Sequence, residues 1–518
     1  MNAFVQEHMD SVTGVISGWD RLRFRGTLRM LANVAGMFRF LCYTGHLLKD
    51  FGGYALDLSR KVRAASLAAA EASGRPIIPL NSPSVCKEDL AREIEQRDAI
   101  GEGLICVLTA VEGCWSYNIR SNRESGHLEL IHAYRKCQHL YHYMVHPVFG
   151  RMHVRLQTWL PFNLHVCLNG REWLSRQMQA AGISHGRADN CFTTISDVAA
   201  AQALADRQVR FDWAGALGSL GLQINPLLPS IVGGYRVGYY GSLDQSEWAT
   251  DVMFKHRRDL EALYPALLRH GMESFGSREV MRFLGRSVEA GITPRFSGDI
   301  VSDIAARVEK YEGMRIKHRI NRNSVKMYNK AGNVLRVETT LNDMRDLKVM
   351  RVEKGRKVWV SMRKGVADLP RRAQVSQKSN ARYLKALAAV STRTPLKTVT
   401  DRLSKAVTWK GKRVRGLNLL GEEDSALLAA AGRGEFLING MRNRDLQGLL
   451  YAKPTQDPAE RRRRCGQVTR KLRMLRAHAL IQKVPHTHRY IVSDKGRQVI
   501  AALHAAREAD IDKLTRAA

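Results

Sequence analysis

Residue types that handle phosphate fall together in the middle of the chain. Residues 324–328 carry Lys326 and Tyr328, residues 334–340 carry Arg336 and Glu338, and Lys330-Ala331-Gly332-Asn333 lies between. Glycine and asparagine in that break predict a turn, and so a β-hairpin. Period-two alternation puts Val325, Met327, Leu335, Val337 and Leu341 on one side, with Ser324, Lys326, Tyr328, Arg336, Glu338 and Thr340 on the other. The polar side has the parts of a strand-cutting site. Glu338 can hold a divalent metal, Lys326 and Arg336 can neutralise a scissile phosphate, and Tyr328 can attack it or orient it. The same residues would also suit cross-strand ion pairs on a surface hairpin.

Other acids could complete such a site. Residues 246–270 are expected to form one long helix, with Asp244, Glu247 and Asp251 at i, i+3 and i+7 on one face and Tyr240 at its entry. That stripe could bind Mg²⁺ or answer the helix dipole. Asp20 precedes the strand Arg21-Leu22-Arg23-Phe24-Arg25-Gly26, and Glu112 ends an apolar strand over 103–111. Acids at strand ends are how two-metal sites are assembled, so Asp20 and Glu112 are expected beside Glu338 as ligands for Mg²⁺ or Mn²⁺ if the protein is an enzyme. Residues 152–159 alternate so that His153, Arg155, Gln157 and Trp159 share a face, a cationic-aromatic surface suited to single-stranded nucleic acid.

Recognition chemistry lies at the C-terminal end. Helical spacing over 422–431 and 441–451, a Lys453-Pro454…Asp457-Pro458 break and a long helix over 461–479 come first. Two short apolar runs follow around His486-Thr487-His488, and Ser493-Asp494-Lys495-Gly496 opens a last helix. At about 100° per residue, Val468, Leu472, Leu475 and Ala479 form the stripe to be buried. The opposite face carries Arg463, Gly466, Arg470 and Arg473, flanked by Thr469 and Arg476. Long cations there can reach phosphates or guanine edges, and Lys483, His486, His488 and Arg489 of the wing would rest on phosphate.

This order of helices and wing resembles the winged-helix domains of MarR-like regulators, which implies DNA binding by residues 421–518. The pattern Lys-x-Tyr-x-Lys…Leu-Arg-x-Glu of residues 326–338 is similar to a short stretch in replication initiators of rolling-circle plasmids and filamentous phages. That similarity implies a contribution of Arg336 and Glu338 to metal-dependent nicking. The His-hydrophobic-His metal motif of those initiators is missing, since His486-Thr487-His488 lacks the hydrophobic centre.

Composition bounds the rest. Lys and Arg outnumber Asp and Glu by 82 to 49 for a net charge of +33, which makes a polyanion the expected partner. A hydrophobic content of 44% excludes a disordered tail. The eight cysteines have no C-x-x-C pair or zinc-ligand spacing, the usage of small core residues in a reducing cytosol. No signal pattern and no run of eighteen apolar residues is seen, so a cytoplasmic protein without a membrane partner is expected. The expected fold is α+β and multidomain. It comprises an α/β region 1–125, a β-rich region 126–230, an α+β central region 231–365 with the hairpin, a basic helical connector 366–420, and the winged helix-turn-helix 421–518.

The function expected is that of a DNA-binding protein of a mobile or replicating element, a metal-dependent strand-cutting initiator or transposase-like enzyme. The alternative is a non-enzymatic winged-helix regulator, or an RNA-binding protein, since charge does not separate RNA from DNA. Ile500, Leu503, Ala506, Ile511 and Leu514 of the last helix could pair two copies as a homodimer.

Overall fold

The computed structural model describes residues 3–508 apart from 83, 234–237, 287–299, 307–311, 346, 354, 389–395, 420, 434–435, 437–439, 452 and 486. His486, Ile511 and Leu514 of the sequence reading lie outside the described residues. The structure is mixed α and β, built on one large sheet.

Along the chain the strands are β1 (Val12–Leu28), β2 (Ile77–Pro79), β3 (Gly103–Ser121), β4 (Leu128–His146), β5 (Gly150–Gln157) and β6 (Leu164–Asn169). Then come β7 (His185–Ala188), β8 (Cys191–Ile195), β9 (Tyr239–Phe254), β10 (Ile300–Ala306), β11 (Glu312–Ile320), β12 (Asn323–Lys330) and β13 (Val334–Leu341). Eleven of them form one sheet in the order β10-β11-β12-β13-β9-β1-β6-β5-β4-β3-β2, while β7 and β8 make a separate hairpin. Among the described residues only β2 and β3 pair in parallel within the large sheet. The stretches 1–125, 126–230 and 231–365 thus share one sheet, with β1 of the first lying between β6 of the second and β9 of the third.

Strand β1 explains how the two faces are divided. Leu22, Phe24 and Leu28 are buried, whereas Arg21, Arg23 and Arg25 alternate with them on the exposed side. Phe24 packs on Trp213 of the helix Trp213–Ile224, and the helix Leu369–Leu387 sends Asn380 to the backbone oxygens of Trp248 and Val337, each at 3.0 Å. That second helix is not an exposed connector. Arg372, Ser376, Ser379, Asn380 and Tyr383 are buried in it, because it lies against β9 and β13. On the arginine face, the helices Gly170–Ala180 and Val198–Val209 cover the Val12–Gly18 end of β1, and Gly14 and Gly18 let Val198 and Ala205 approach.

The central hairpin forms as its alternation predicts, with Lys326 opposite Glu338 and Tyr328 opposite Arg336. Its turn needs Ala331 and Gly332 at φ of 58° and 83°, the left-handed region that glycine adopts readily. The expected helix over 246–270 is different. Tyr239–Phe254 is strand, and helix begins only at Arg257. Its Trp, Thr, Val and Phe residues suit a pleated strand, and pairing with β1 on one edge and β13 on the other outweighs the helical spacing of its acids.

Beyond the sheet, the C-terminal segment has its own core. Helices Glu422–Ala431, Asn443–Leu450, Pro458–Ala477 and Asp494–Glu508 surround Leu427, Met441, Leu446, Leu472, Leu475 and Leu503. A two-stranded hairpin, Ile481–Lys483 with Tyr490–Val492, lies between the last two helices, and Met441 bridges to Tyr490. Pro458–Ala477 starts cleanly because the Asp457 carboxylate accepts from the backbone N–H groups of Ala459 and Glu460, with proline at the first turn. No helix among the described residues is long and apolar enough to cross a membrane.

Candidate active site

Three adjacent strands bring three acids together. Arg21 pairs with Glu247 and Glu247 with Thr340, so β1, β9 and β13 stand in order with Glu338 one ladder step further along. Asp20 reaches the group through a bulge, because the β1–β9 register passes from Trp19↔Trp248 directly to Arg21↔Glu247. The extra residue of a bulge twists the strand and re-aims a side chain. One carboxylate oxygen from each of Asp20, Glu247 and Glu338 lies within 4.8 Å of the others. All three are buried, at 4%, 8% and 1% exposure.

Each acid is held in place by named neighbours. Lys326 Nζ lies 2.8 Å from Glu338 Oε1, and the Tyr328 hydroxyl donates to Glu338 Oε2 at 2.8 Å. Asp20 Oδ1 accepts from Asn190 Nδ2 at 2.8 Å and from Arg336 Nη1 at 3.3 Å. Gln245 Nε2 donates to Glu247 Oε1 at 2.9 Å, with Arg21 Nε 4.0 Å from Oε2. Arg336 is fully buried and grips Asp251 through both oxygens at 2.6 and 2.9 Å, while Arg171 Nη2 stands 3.1 Å from the same carboxylate. Arg336 Nη2 also donates to the Asn190 carbonyl at 2.7 Å, tying the β7–β8 turn over this end of the site. Arg336 therefore positions Asp20 from beneath and has no route to a phosphate.

The electrostatics follow from burial among like and unlike charges. Burial, with Glu338 adding to it, pushes the Glu247 carboxyl up to about 7, against the pull of Lys326 and Arg21. Asp20 is raised as well, by burial first, with Arg336 opposing and Glu338 reinforcing. Burial would raise Glu338 too, but Lys326 and Arg336 outweigh it and hold its carboxyl below the usual value. Burial and the Glu338 charge push the Tyr328 phenol well above its ordinary range. A phenol so placed donates a hydrogen bond and is a poor source of phenolate.

The site opens on its Glu247 side into a cleft of about 330 Å³. Arg315, Lys317, Arg319, Arg322 and Lys326 line it, facing Glu247 as the one acid among the described residues. An all-oxygen donor set fits a hard divalent cation, and the 4.8 Å span compares with about 4.2 Å between oxygens on opposite sides of Mg²⁺. Small side-chain adjustments would close that difference.

The other sequence candidates fall elsewhere. Glu112 is four strands from β1, about 19 Å at the usual strand spacing, and is saturated there by Lys87 at 3.2 Å, Arg155 at 3.1 Å and the Tyr141 hydroxyl at 2.7 Å. Tyr240 is seven residues from Glu247 along β9 and lies under the Arg29 guanidinium, 3.4 Å from its ring centre. Trp159 is 9% exposed beneath Arg135, and His153 is pushed down to about 4 by burial, so that face is packed where an open stacking surface was expected. Glu247 was read on a helix; taken with period two, it shares a face with Gln245 and Asp251, and that was the usable signal.

In the C-terminal helix, Val468, Leu472 and Leu475 are buried and Arg463, Thr469 and Arg470 exposed, as expected, but Ala479 is exposed, because the helix ends at Ala477 and Ala479 turns out of it at a φ of 58°. Arg473 lines a groove with Arg413, Arg415 and Arg470. Arg463 is paired with Glu460 at 2.6 Å, Thr469 bonds the Cys465 carbonyl, and Arg476 lies 5.0 Å over Trp409. Lys483 and His488 are exposed at the hairpin and Arg489 is half-buried. Cys114, Cys137 and His139 form a second compact group that spacing along the sequence did not reveal, since the thiols meet across β3 and β4 at 3.3 Å. Comparison of the chain with protein-family models, curated proteins and solved structures finds no match.

Proposed function

We propose that this chain is a divalent-metal-dependent enzyme that cuts nucleic-acid strands, brought to DNA by a C-terminal winged helix-turn-helix. The observation that carries it is the convergence of Asp20 and Glu338 on Glu247, which itself lines a cation-lined cleft. Those three acids would hold Mg²⁺ or Mn²⁺, which supplies Lewis-acid polarisation of the phosphate and an activated water. The chain's own groups do the rest. Lys326 and the arginines of the cleft draw in and neutralise the phosphate, Tyr328 and Asn190 fix the carboxylates, and Arg336 anchors Asp20 from below. Tyr328 is assigned the orienting role among the two that its position on the hairpin allowed.

The winged-helix reading is supported by the helix–hairpin–helix order of residues 422–508, by the bridge from Met441 to the hairpin, and by exposed Arg470. Strand cutting joined to site recognition is what a mobile or replicating element requires. The test is incubation of the full chain with Mg²⁺ or Mn²⁺ and single- or double-stranded DNA, beside Asp20→Asn and Glu338→Gln. Cleavage lost in both variants is expected. Binding without cleavage under either metal overturns the enzyme reading and leaves a winged-helix regulator.

A further inference from the structure

One ladder of directly paired residues crosses the open part of the arginine face. It runs Arg319↔Ser324, Ser324↔Thr340, Thr340↔Glu247 and Glu247↔Arg21, from β11 to β1. Residues directly opposite in an antiparallel pair project to the same face, so the row is continuous. It covers four strand spacings, about 19 Å, with an exposed arginine at each end. Glu247 of the triad is a member of the row, Glu338 lies one ladder step to its side and Asp20 lies in the bulge next to Arg21. Lys317 and Lys326 flank the row on the β11 side, and Arg23 and Arg25 extend it along β1. Among the described residues, Arg23, Lys317 and Arg319 form no ion pair with an acid, in contrast to Arg155 and Arg187 on the same sheet or its covering hairpin. Arg21, Arg25 and Lys326 of the row are answered by Glu247, Asp244 and Glu338, so Arg23, Lys317 and Arg319 are the cations placed for an extended anion.

We infer that this row is the seat of one unpaired nucleic-acid strand, laid across the β-strands so that its backbone runs from Arg319 over the triad to Arg21 and Arg23. The inference takes the strand-cutting reading a step further, to the form of its substrate. Two observations select a single strand over a duplex. The carboxylates are 4%, 8% and 1% exposed and Glu247 alone of the three lines the cleft, so a phosphate must enter the cleft to meet the group at Glu247. That cleft, at about 330 Å³, is at the small end of sites that hold one small molecule, room for a nucleotide unit and not for two paired strands. Among the described residues its wall carries cations and amides and no aromatic ring, which favours contact through the backbone. The C-terminal segment would hold the duplex while the sheet takes the strand released from it.

The test reads binding alone, in a chelating buffer, by anisotropy of a labelled single strand and of its duplex, each with full-length protein. Arg23→Ala with Arg319→Ala should weaken single-strand binding at least tenfold and make the log–log salt slope shallower by about 1.4, two contacts at 0.7 each. Duplex binding should stay within twofold, which also reports that the variant is folded, and the Lys replacements should restore the loss. Unchanged single-strand binding, or equal loss on the duplex, overturns the inference. Matched DNA and RNA strands run in parallel tell which carries the backbone. Tighter binding of either supports the proposal, and failure of both overturns it. A chain that binds in this way and never cuts would lose the enzyme reading and keep this one.

Discussion

Glu112 and the group of Asp20, Glu247 and Glu338 lie on the same face of one sheet, four strands apart, and their surroundings differ in kind. At Glu112 a single carboxylate meets Lys87, Arg155 and a tyrosine hydroxyl, and its carboxyl is held below the usual value because those partners outweigh its burial. At the triad three carboxylates crowd within 4.8 Å, and two of them are raised. The first has its charge answered by the protein. The second holds more carboxylate than Lys326, Arg336 and Arg21 relieve, since burial and the neighbouring acids leave Asp20 and Glu247 raised. An acid near cations is therefore weak evidence for a metal; acids crowded beyond what their cations relieve are better evidence.

The comparison breaks most sharply on activity. Asp20→Asn or Glu338→Gln should lower metal-dependent cleavage by about a thousandfold or more, the scale of losing a group that stabilises transition-state charge. Glu112→Gln should stay within about threefold, since its partners are partly solvated. A rate loss at Glu112 equal to that at Glu338, in single-turnover assays, would make the two sites equivalent and sink the distinction.

Stability sharpens it next. Arg336→Met leaves Asp251 and Asp20 buried without their main cation, and urea unfolding should show a loss of about 3–5 kcal/mol. Arg155→Met, at the half-exposed Glu112 pair, should cost about 1 kcal/mol or less. Similar losses at both would mean that the buried arginine is not what holds the triad.

Proton competition is a smaller effect. Metal must displace a proton from Glu247, whose carboxyl sits at about 7, so Mn²⁺ affinity by calorimetry should fall as pH drops from 8 to 5.5, towards tenfold per unit below 7. In the metal-free protein the sign reverses. The folded value lies above the ordinary 4.5, so Glu247 contributes stability that is complete below about 4.5 and is lost as pH rises through about 7. Flat affinity across that window would remove Glu247 from the ligand set. Smallest of all, Tyr328→Phe deletes one hydrogen bond to Glu338 and should slow cleavage about tenfold, the scale of 1.5 kcal/mol for a bond to a charged group. A covalent protein–DNA adduct at Tyr328 would instead make it the nucleophile.

How much of this could be read from the chain divides along range of interaction. The hairpin, its register and both its faces were legible because they depend on alternation and a four-residue turn. Glu338 is legible from its place on the hairpin, whereas the strand-end reading of Asp20 and Glu112 fails, because both lie inside long strands, Asp20 at a bulge of β1 and Glu112 midway along β3. Glu247 was assigned to the wrong element because a spacing of three and four mimics a helix, and only the partners β1 and β13 make it a strand. Glu112 looked equivalent to Asp20 because strand order is not written locally; β9 lies beside β1 although more than two hundred residues separate them. The bulge that turns Asp20 inward leaves no mark in the sequence at all.

That long-range pairing also sets when the triad can exist. Asp20 is made early, yet its companions arrive with Glu247 and Glu338, and β1 has no neighbour on that edge until β9 is synthesised. A chain broken before residue 247 therefore holds one acid of the three, and one broken between 247 and 338 holds two, so neither presents the full group. On the proposed function, strand cutting would be withheld until β9 and β13 have joined β1 in the sheet.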